Sequence, residues 1–327
     1  MITFENVTKE YPDGTVAIED ISFTVEEGTT TVLVGPSGCG KTTTMKLVNR
    51  LEDPTEGTVY RDETPLSEFD PIDLRRNTGY VIQEIGLFDH MSVEDNIATV
   101  PRLTGWDESE IEDRVAELLE LMDMPPGEYR YQYPTELSGG QRQRVGVARA
   151  LASDPDVLLM DEPFGALDPI TRENLQDEFL SIQEELETTI LFVTHSIDEA
   201  LKMGDRIAIF DVGEVVQYDT PQEILDNPKN EFVENFIGSD RPLKKLSVTR
   251  VREIMSSDGD IQSAEVDTSV DGEGRMAVAP DDTALAALSK LVESGRDQLP
   301  VHEEDTVVGM VSWENVYSIQ GDARDRV

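Results

Sequence analysis

Residues 29–51 read TTTVLVGPSGCGKTTTMKLVNRL. A short β-rich run leads into a glycine turn, and the residues after the turn carry helical spacing. Gly35, Gly38 and Gly40 let the backbone curl with its N–H groups inward, which makes a nest for phosphate oxygens at a helix N-terminus. Lys41 supplies positive charge for the β- and γ-phosphates of a nucleotide, and Thr42 supplies a hydroxyl ligand for Mg²⁺. The complete G-x-x-x-x-G-K-T spacing between a strand and a helix predicts an α/β nucleotide-binding core. Cys39 sits within the turn as a small spacer rather than a redox switch.

The stretch DPDVLLMDEP, residues 154–163, adds a second half to that site. Its continuous apolar run fits a strand buried on both faces of a parallel sheet. The run ends in adjacent acids, Asp161 and Glu162. Side chains of consecutive strand residues point to opposite faces, so the two carboxylates are free to do different work. Asp161 is placed to hold Mg²⁺ and Glu162 to polarise an attacking water, which together predict nucleotide hydrolysis.

Just ahead of that strand lies TELSGGQRQRVGVARALA, residues 135–152. Ser138, Gly139 and Gly140 again offer a hydroxyl and backbone N–H groups at a helix start, a second anion site. One nucleotide does not need two such sites from one chain. The economical expectation is that this loop caps the γ-phosphate held by another subunit.

Composition bounds the rest. A chain of 327 residues can bury a substantial core and predicts two domains. No apolar run approaches the roughly 18 residues that a bilayer span requires, and the start MITFENVTKEYPDG lacks the basic-then-apolar order of a signal peptide. The single cysteine excludes an internal disulfide and suits a reducing cytoplasm. The net charge is −41, with 51 acidic and 17 basic residues in 1–240 and 17 and 10 in 241–327. An excess spread along the whole chain is not an acidic tail. At near-molar salt, where the Debye length is about 3 Å, such self-repulsion is screened, and a salt-rich cytoplasm is the expected habitat. No basic face is available for nucleic acid, so no nucleic-acid partner is expected.

The motifs GPSGCGKT, LSGGQ and LLMDEP occur in the order and spacing of the ATP-binding cassette ATPases, the motor subunits of ABC transporters, and residues 1–240 resemble that family. The resemblance implies a P-loop NTPase core with a helical subdomain at about 84–145. It implies ATP and Mg²⁺ as cofactors and assigns nucleotide contacts to the whole loop from Gly35 through Pro36, Ser37, Gly38, Cys39, Gly40, Lys41 and Thr42 to Thr43. Tyr11, in TKEYPDG, matches the aromatic that stacks on adenine. Gln83 matches the glutamine that touches Mg²⁺ and the attacking water. Asp168, in GALDP, matches the loop that communicates across the dimer, and His195, in ILFVTHS, matches the histidine that contacts the γ-phosphate. Lys41, Gln83, Glu162 and His195 are thus the expected catalytic set, and Thr42, Gln83 and Asp161 the metal set. Ser138, Gly139, Gly140 and Gln141 are expected to bind the nucleotide of a second copy in an ATP-sandwich homodimer. His90 and His302 are expected to be surface or packing residues.

One phosphate loop and one LSGGQ favour an importer subunit working with separate permease chains, on the cytoplasmic face of the membrane, with an extracytoplasmic solute-binding protein reached through the permease. The run ESEIEDRVAELLELMDM places Ile111, Val115, Leu118, Leu119 and Met122 at helical spacing, as a helical subdomain requires. Ile85, Leu87 and Phe88 follow Gln83 and are candidates either for that subdomain's core or for a socket that receives a permease helix. The stretches 79–106 and 221–246 resemble the ATPases of glycine betaine, carnitine and choline importers. Alternatives are another small solute (molybdate, sulfate or a polyamine) or a soluble regulatory ATPase.

From about residue 241 the organisation changes. Residues 251–259 read as a strand start and a loop, and 261–275 as a turn-rich stretch. Residues 277–320 read as strand, helix, strand, turn, strand, helix, with Thr283 capping a helix that bears Leu285, Leu288, Leu291 and Val292. LPVHEEDTVVGMVSWENV resembles the end of a CBS (cystathionine-β-synthase) motif, which implies a small α+β regulatory or dimerisation domain over 241–327.

Overall fold

Val32, Leu33 and Val34 are fully buried because the strand they form has neighbours on both edges and helices on both faces. In chain order the strands are β1 (Ile2–Glu10), β2 (Val16–Val25), β3 (Thr30–Val34), β4 (Glu56–Arg61), β5 (Thr64–Pro65), β6 (Thr78–Val81), β7 (Val157–Asp161), β8 (Thr189–Thr194), β9 (Arg206–Asp211), β10 (Glu214–Asp219), β11 (Gln298–Glu303) and β12 (Thr306–Ser312). The computed structural model describes residues 1–83, 85–165, 167–185, 188–256, 277–303 and 306–319, with the side chains at 184 and 185 outside the description. The expected turn-rich stretch 261–275 lies outside the described residues. The described chain divides into two compact units, residues 1–220 and 221–327.

In the first unit a six-stranded sheet has the order β10-β9-β3-β8-β7-β6, parallel throughout except for β10. A second, antiparallel sheet has the order β2-β1-β4-β5. One apolar core joins them, running from Ile2, Phe4 and Val25 through Met45 and Leu47 to Leu159 and Phe210. Phe4 and Phe23 stack within it with ring centroids 4.5 Å apart.

The sheet order decides where chemistry is possible. Strands β3, β8 and β7 are neighbours and run the same way, with Val34 opposite Thr194 and Asp161 opposite Val193. Their carboxyl ends therefore open onto one crevice, the usual ligand position in open α/β sheets. The helix Lys41–Val48 follows β3 directly and buries Met45, Leu47 and Val48 beneath the sheet.

Between β6 and β7 the chain forms the helices Val93–Ile97, Thr99–Thr104, Glu108–Leu121 and Gly139–Leu151. Ile111, Val115, Leu118, Leu119 and Met122 are all buried, as their spacing predicts. Asp107 and Glu110 close a capping box at the start of Glu108–Leu121.

The second unit opens with the helices Pro221–Asp226, Glu231–Ile237 and Arg241–Val248. Residues 251–254 form a single helical turn, not the expected strand. The Glu253 carboxylate accepts the Arg250 backbone N–H at 3.0 Å, and Val251 is buried in the core of this unit. The helix Ala284–Ser294, the hairpin β11–β12 and the helix Trp313–Ser318 follow as predicted, but the short strand expected ahead of them is reduced to an isolated bridge between Val278 and Val301. Thr283 caps the first of these by accepting from the Ala286 N–H at 3.1 Å. The face it buries carries Ala284, Ala287 and Leu291, whereas Leu285 and Val292 remain exposed.

Candidate functional site

The phosphate loop is built where the sequence places it. Gly38 and Gly40 have φ of 80° and 107°, in the region that favours glycine. A Cβ at Gly40 would stand 2.5 Å from the Ala17 carbonyl oxygen, and one at Gly35 would stand 2.3 Å from that of Phe210. Close backbone approach, as well as conformation, thus demands glycine at these positions. Lys41 is 5% exposed, and its Nζ donates to the carbonyls of Gly35 at 2.7 Å and Pro36 at 2.9 Å. The ammonium is held over the loop by neutral acceptors that a phosphate oxygen can replace. Cys39 is buried beside it, and burial pushes its thiol up, which fits a spacer.

Thr42 Oγ1 donates to Asp161 Oδ1 at 3.3 Å, so the hydroxyl and carboxylate proposed as metal ligands meet across the sheet. Burial pushes the Asp161 carboxyl above its usual range, with adjacent Glu162 adding to the rise and Thr42, Lys46 and Lys41 opposing it. A hydroxyl and a carboxylate beside a phosphate nest are hard oxygen donors that fit Mg²⁺, an ion that completes its shell with phosphate oxygens and water.

Glu162 begins the turn after β7 with φ of 45°, while its N–H bonds the Val193 carbonyl at 2.9 Å. The carboxylate of this left-handed residue has other partners than that of Asp161. Its Oε2 accepts from Gln83 Nε2 at 3.3 Å and lies 3.4 Å from His195 Nδ1. Gln83 follows β6 and His195 follows β8, so the two strands flanking β7 each deliver one side chain to this oxygen. Three of the four expected catalytic residues are in contact before any ligand is considered.

The Tyr11 hydroxyl lies 3.4 Å from Thr43 Oγ1, and Lys9 Nζ sits 5.2 Å from its ring centroid. The ring is therefore beside the phosphate-loop helix, as the adenine-stacking expectation needs. Asp168 is exposed, and its Oδ1 accepts from the Thr171 N–H at 3.1 Å, a bond that helps hold the carboxyl below its usual range.

Ser138 and Gln141 form a capping box on the helix Gly139–Leu151, the serine Oγ accepting at 3.3 Å and the glutamine Oε1 accepting from Ser138 N at 2.8 Å. Ser138, Gly140 and Gln141 line a cleft of about 500 Å³ with Arg144, Thr171 and Asn174. Among the described residues no hydrogen bond joins this group to the phosphate loop. None of the residues that line this cleft belongs to the phosphate loop.

The segment after Gln83 differs from a simple apolar socket. Phe88 is 41% exposed and Ile82 39%, but Ile85 and Leu87 are half-buried. Ile85 has φ of 62°, and its Cγ2 would lie 2.7 Å from a Cβ on Gly146, so a bare helix backbone receives it. Arg149 donates to the carbonyls of Ile85 and Gly86, both at 2.7 Å, and its guanidinium lies 5.7 Å from the Phe88 ring centroid. Fully buried Asn96 bonds Phe88 N and O at 2.8 and 3.1 Å and also the carbonyls of Met91 and Ser92. Sequence reasoning missed Asn96 and Arg149, because no motif announces a side chain whose partners are backbone groups of an irregular loop. His90 is exposed with its ring 6.1 Å from Phe88, and His302 is half-buried on β11.

Comparisons with known proteins identify relatives of the chain. A family profile described as ABC transporter matches residues 18–165. The carnitine transport ATP-binding protein OpuCA of Listeria monocytogenes is 46% identical over 318 residues, covering 97% of this chain and 76% of that protein. The choline transport ATP-binding protein OpuBA of Bacillus subtilis is 52% identical over 259 residues, 79% of this chain and 68% of that one. The glycine betaine uptake system ATP-binding protein YehX of Escherichia coli is 44% identical over 302 residues, 92% of this chain and 94% of that one. Among solved structures, a dimeric ATP-binding cassette in a post-hydrolysis state bound to ADP and Pi superposes with a TM-score of 0.61 at 32% identity, covering 68% of this chain and 99% of its own.

Proposed function

The chain belongs to the ABC transporter family as a transport-coupled ATPase subunit, and from that premise we propose that it powers import of quaternary-ammonium osmoprotectants of the glycine betaine, carnitine and choline type. The observation that carries the enzymatic part is the convergence of Gln83 and His195 on Glu162 beside the Thr42–Asp161 pair, at the mouth of the phosphate loop. The transport functions named for relatives that align with most of this chain support the solute class.

In this reading Glu162 orients a water molecule and accepts its proton as the water oxygen bonds the γ-phosphorus and the bond to ADP breaks. Gln83 and His195 fix the carboxylate, with His195 also placed to bond the γ-phosphate. Lys41 leaves the carbonyls of Gly35 and Pro36 to neutralise phosphate charge, and the loop from Gly35 to Thr43 donates its N–H groups. Thr42 and Asp161, with Gln83 nearby, would hold Mg²⁺, which would supply charge neutralisation for the phosphate. Positioning and charge stabilisation supply most of the rate.

Two copies close on two ATP molecules, each held by Lys41 of one chain and by Ser138, Gly139, Gly140 and Gln141 of the other. The dimeric form of the solved cassette and a Ser138 cleft that shares no lining residue with the phosphate loop support that arrangement. The partner beyond the dimer is a pair of permease subunits, with a solute-binding protein acting through them. Among the described residues no helix is long and apolar enough to cross a membrane, consistent with a peripheral subunit on separate permease chains. By resemblance we assign residues 1–240 to the cassette, with its helical subdomain at about 84–145, and 241–327 to a CBS-like regulatory or dimerisation domain, although the compact units divide after residue 220. Reconstitution with the permease and binding protein tests the solute assignment. Glycine betaine, carnitine or choline should stimulate ATP hydrolysis, whereas stimulation by molybdate, sulfate or a polyamine alone would overturn it.

A further inference from the structure

We propose that Glu199 is a positioning residue for hydrolysis, tying the turn that carries His195 to the loop that carries Asp168. The inference rests on the reading of Glu162 as the base and His195 as its partner. Glu199 touches neither the phosphate loop nor Glu162, and the only motif that marks it is the S-x-x-E pattern of a helix cap, Ser196 to Glu199.

Glu199 is only 8% exposed, and both of its oxygens are engaged. Its Oε2 accepts from Thr194 Oγ1 at 2.5 Å, and its Oε1 accepts from Gln176 Nε2 at 3.1 Å, with Arg172 Nε at 3.8 Å. Thr194 immediately precedes His195, and its Oγ1 in turn accepts from the Ser196 N–H at 3.0 Å. The backbone is therefore pinned on both sides of the histidine. On the other side of the carboxylate, Arg172 donates to the carbonyls of Phe164 at 3.2 Å and Leu167 at 3.0 Å. Those carbonyls belong to the loop between Glu162 and Asp168.

Helix capping does not account for this arrangement. Ser196 caps the helix Ile197–Met203 by accepting from the Glu199 N–H, which puts Glu199 three residues past the cap. A glutamate there usually reaches back to the N–H of the cap residue. Here that N–H goes to Thr194 instead, and the carboxylate is turned inward to Thr194, Gln176 and Arg172. Burying a carboxylate carries a desolvation cost that an amide or apolar side chain would avoid. Its retention at the junction of two site loops points to geometry that needs a charged anchor. Arg172 reads the backbone of the Asp168 loop, Glu199 reads Arg172, and Thr194 passes the position to His195.

The test is steady-state hydrolysis by the full chain carrying Glu199→Gln, which keeps the shape and one accepting oxygen. The expected result is a kcat about tenfold lower, with the KM for ATP within about twofold of the original and Tm little changed. In a His195→Ala background the same substitution should have no further effect, because a residue acting through His195 is silent once the ring is gone. An unchanged kcat overturns the proposal. So does a further loss in the His195→Ala background, or a loss that appears only as a raised KM. If Glu199→Gln does not fold, Thr194→Val removes the same bond and carries the same expectations. Glu162→Gln separates the two levels. Sustained turnover in that variant overturns the reading of the base, whereas stalled turnover there with normal Glu199→Gln kinetics overturns only the positioning role.

Discussion

His195 Nδ1 stands 3.4 Å from Glu162 Oε2, although the two residues leave the ends of different strands. With Gln83 Nε2 on the same oxygen at 3.3 Å, the carboxylate is aimed by both flanking strands. Glu162→Gln should keep ATP binding and lower turnover by at least about 100-fold, the usual scale for losing a general base. Equilibrium ATP binding and single-turnover hydrolysis check it, and near-normal turnover would sink the assignment.

Phe88 is exposed at the tip of a loop whose backbone is held by Asn96 and Arg149. Phe88→Ala should weaken association with the permease while leaving ATP affinity within about twofold, since the ring has no bond to the phosphate site. Co-purification of the complex alongside nucleotide binding by the isolated subunit distinguishes the two effects. An equal loss of both would show that the ring supports Gln83 instead.

Asn96 satisfies four backbone groups while fully buried. Asn96→Ala should cost about 2–4 kcal/mol, because buried donors and acceptors are left without partners. Denaturant unfolding measures this directly. A cost below about 0.5 kcal/mol would mean that the loop finds other partners.

Asp161 has its carboxyl raised by burial in the folded chain. A carboxyl whose folded pKa lies above its unfolded value costs stability at pH above the folded value, and the cost fades as pH falls through it. Asp161→Asn should therefore raise the Tm of the nucleotide-free protein at pH 7 to 8, with the gain shrinking toward pH 4. Thermal melts across that range check the sign. A lowered Tm at neutral pH would mean that the Thr42 hydrogen bond and the nearby lysines outweigh burial.

The net charge of −41 makes salt a structural variable. Raising KCl from about 0.1 M to 2 M shortens the Debye length from about 10 Å to below 3 Å and should raise Tm by several degrees. A flat or falling Tm over that range would reject the proposal of a salt-rich habitat.

Much of the site was legible because its parts are local. The nest needs glycine at fixed spacings, and the buried strand announces itself as VLLM before an acidic pair. Helical spacing likewise marked Ile111, Val115, Leu118, Leu119 and Met122, all of which are buried. The strand expected at 251–254 failed because a four-residue segment carries no usable period, and a Glu253 cap decides it. Ile85 was legible as apolar but not as packed, since the space it fills exists only because Gly146 lacks a side chain.

The sequence by itself determined the nucleotide chemistry, because phosphate binding and strand burial follow from residue types at short separations. Only the tertiary structure decided which side chains share an oxygen. The parallel order of β6, β7 and β8 brings Gln83 and His195 onto Glu162, and helix packing buries Glu199 between Thr194, Gln176 and Arg172. Apart from the local Thr194–Glu199 bond, these contacts join residues far apart in the chain, and their hydrogen-bond geometry exists only after the sheet has assembled.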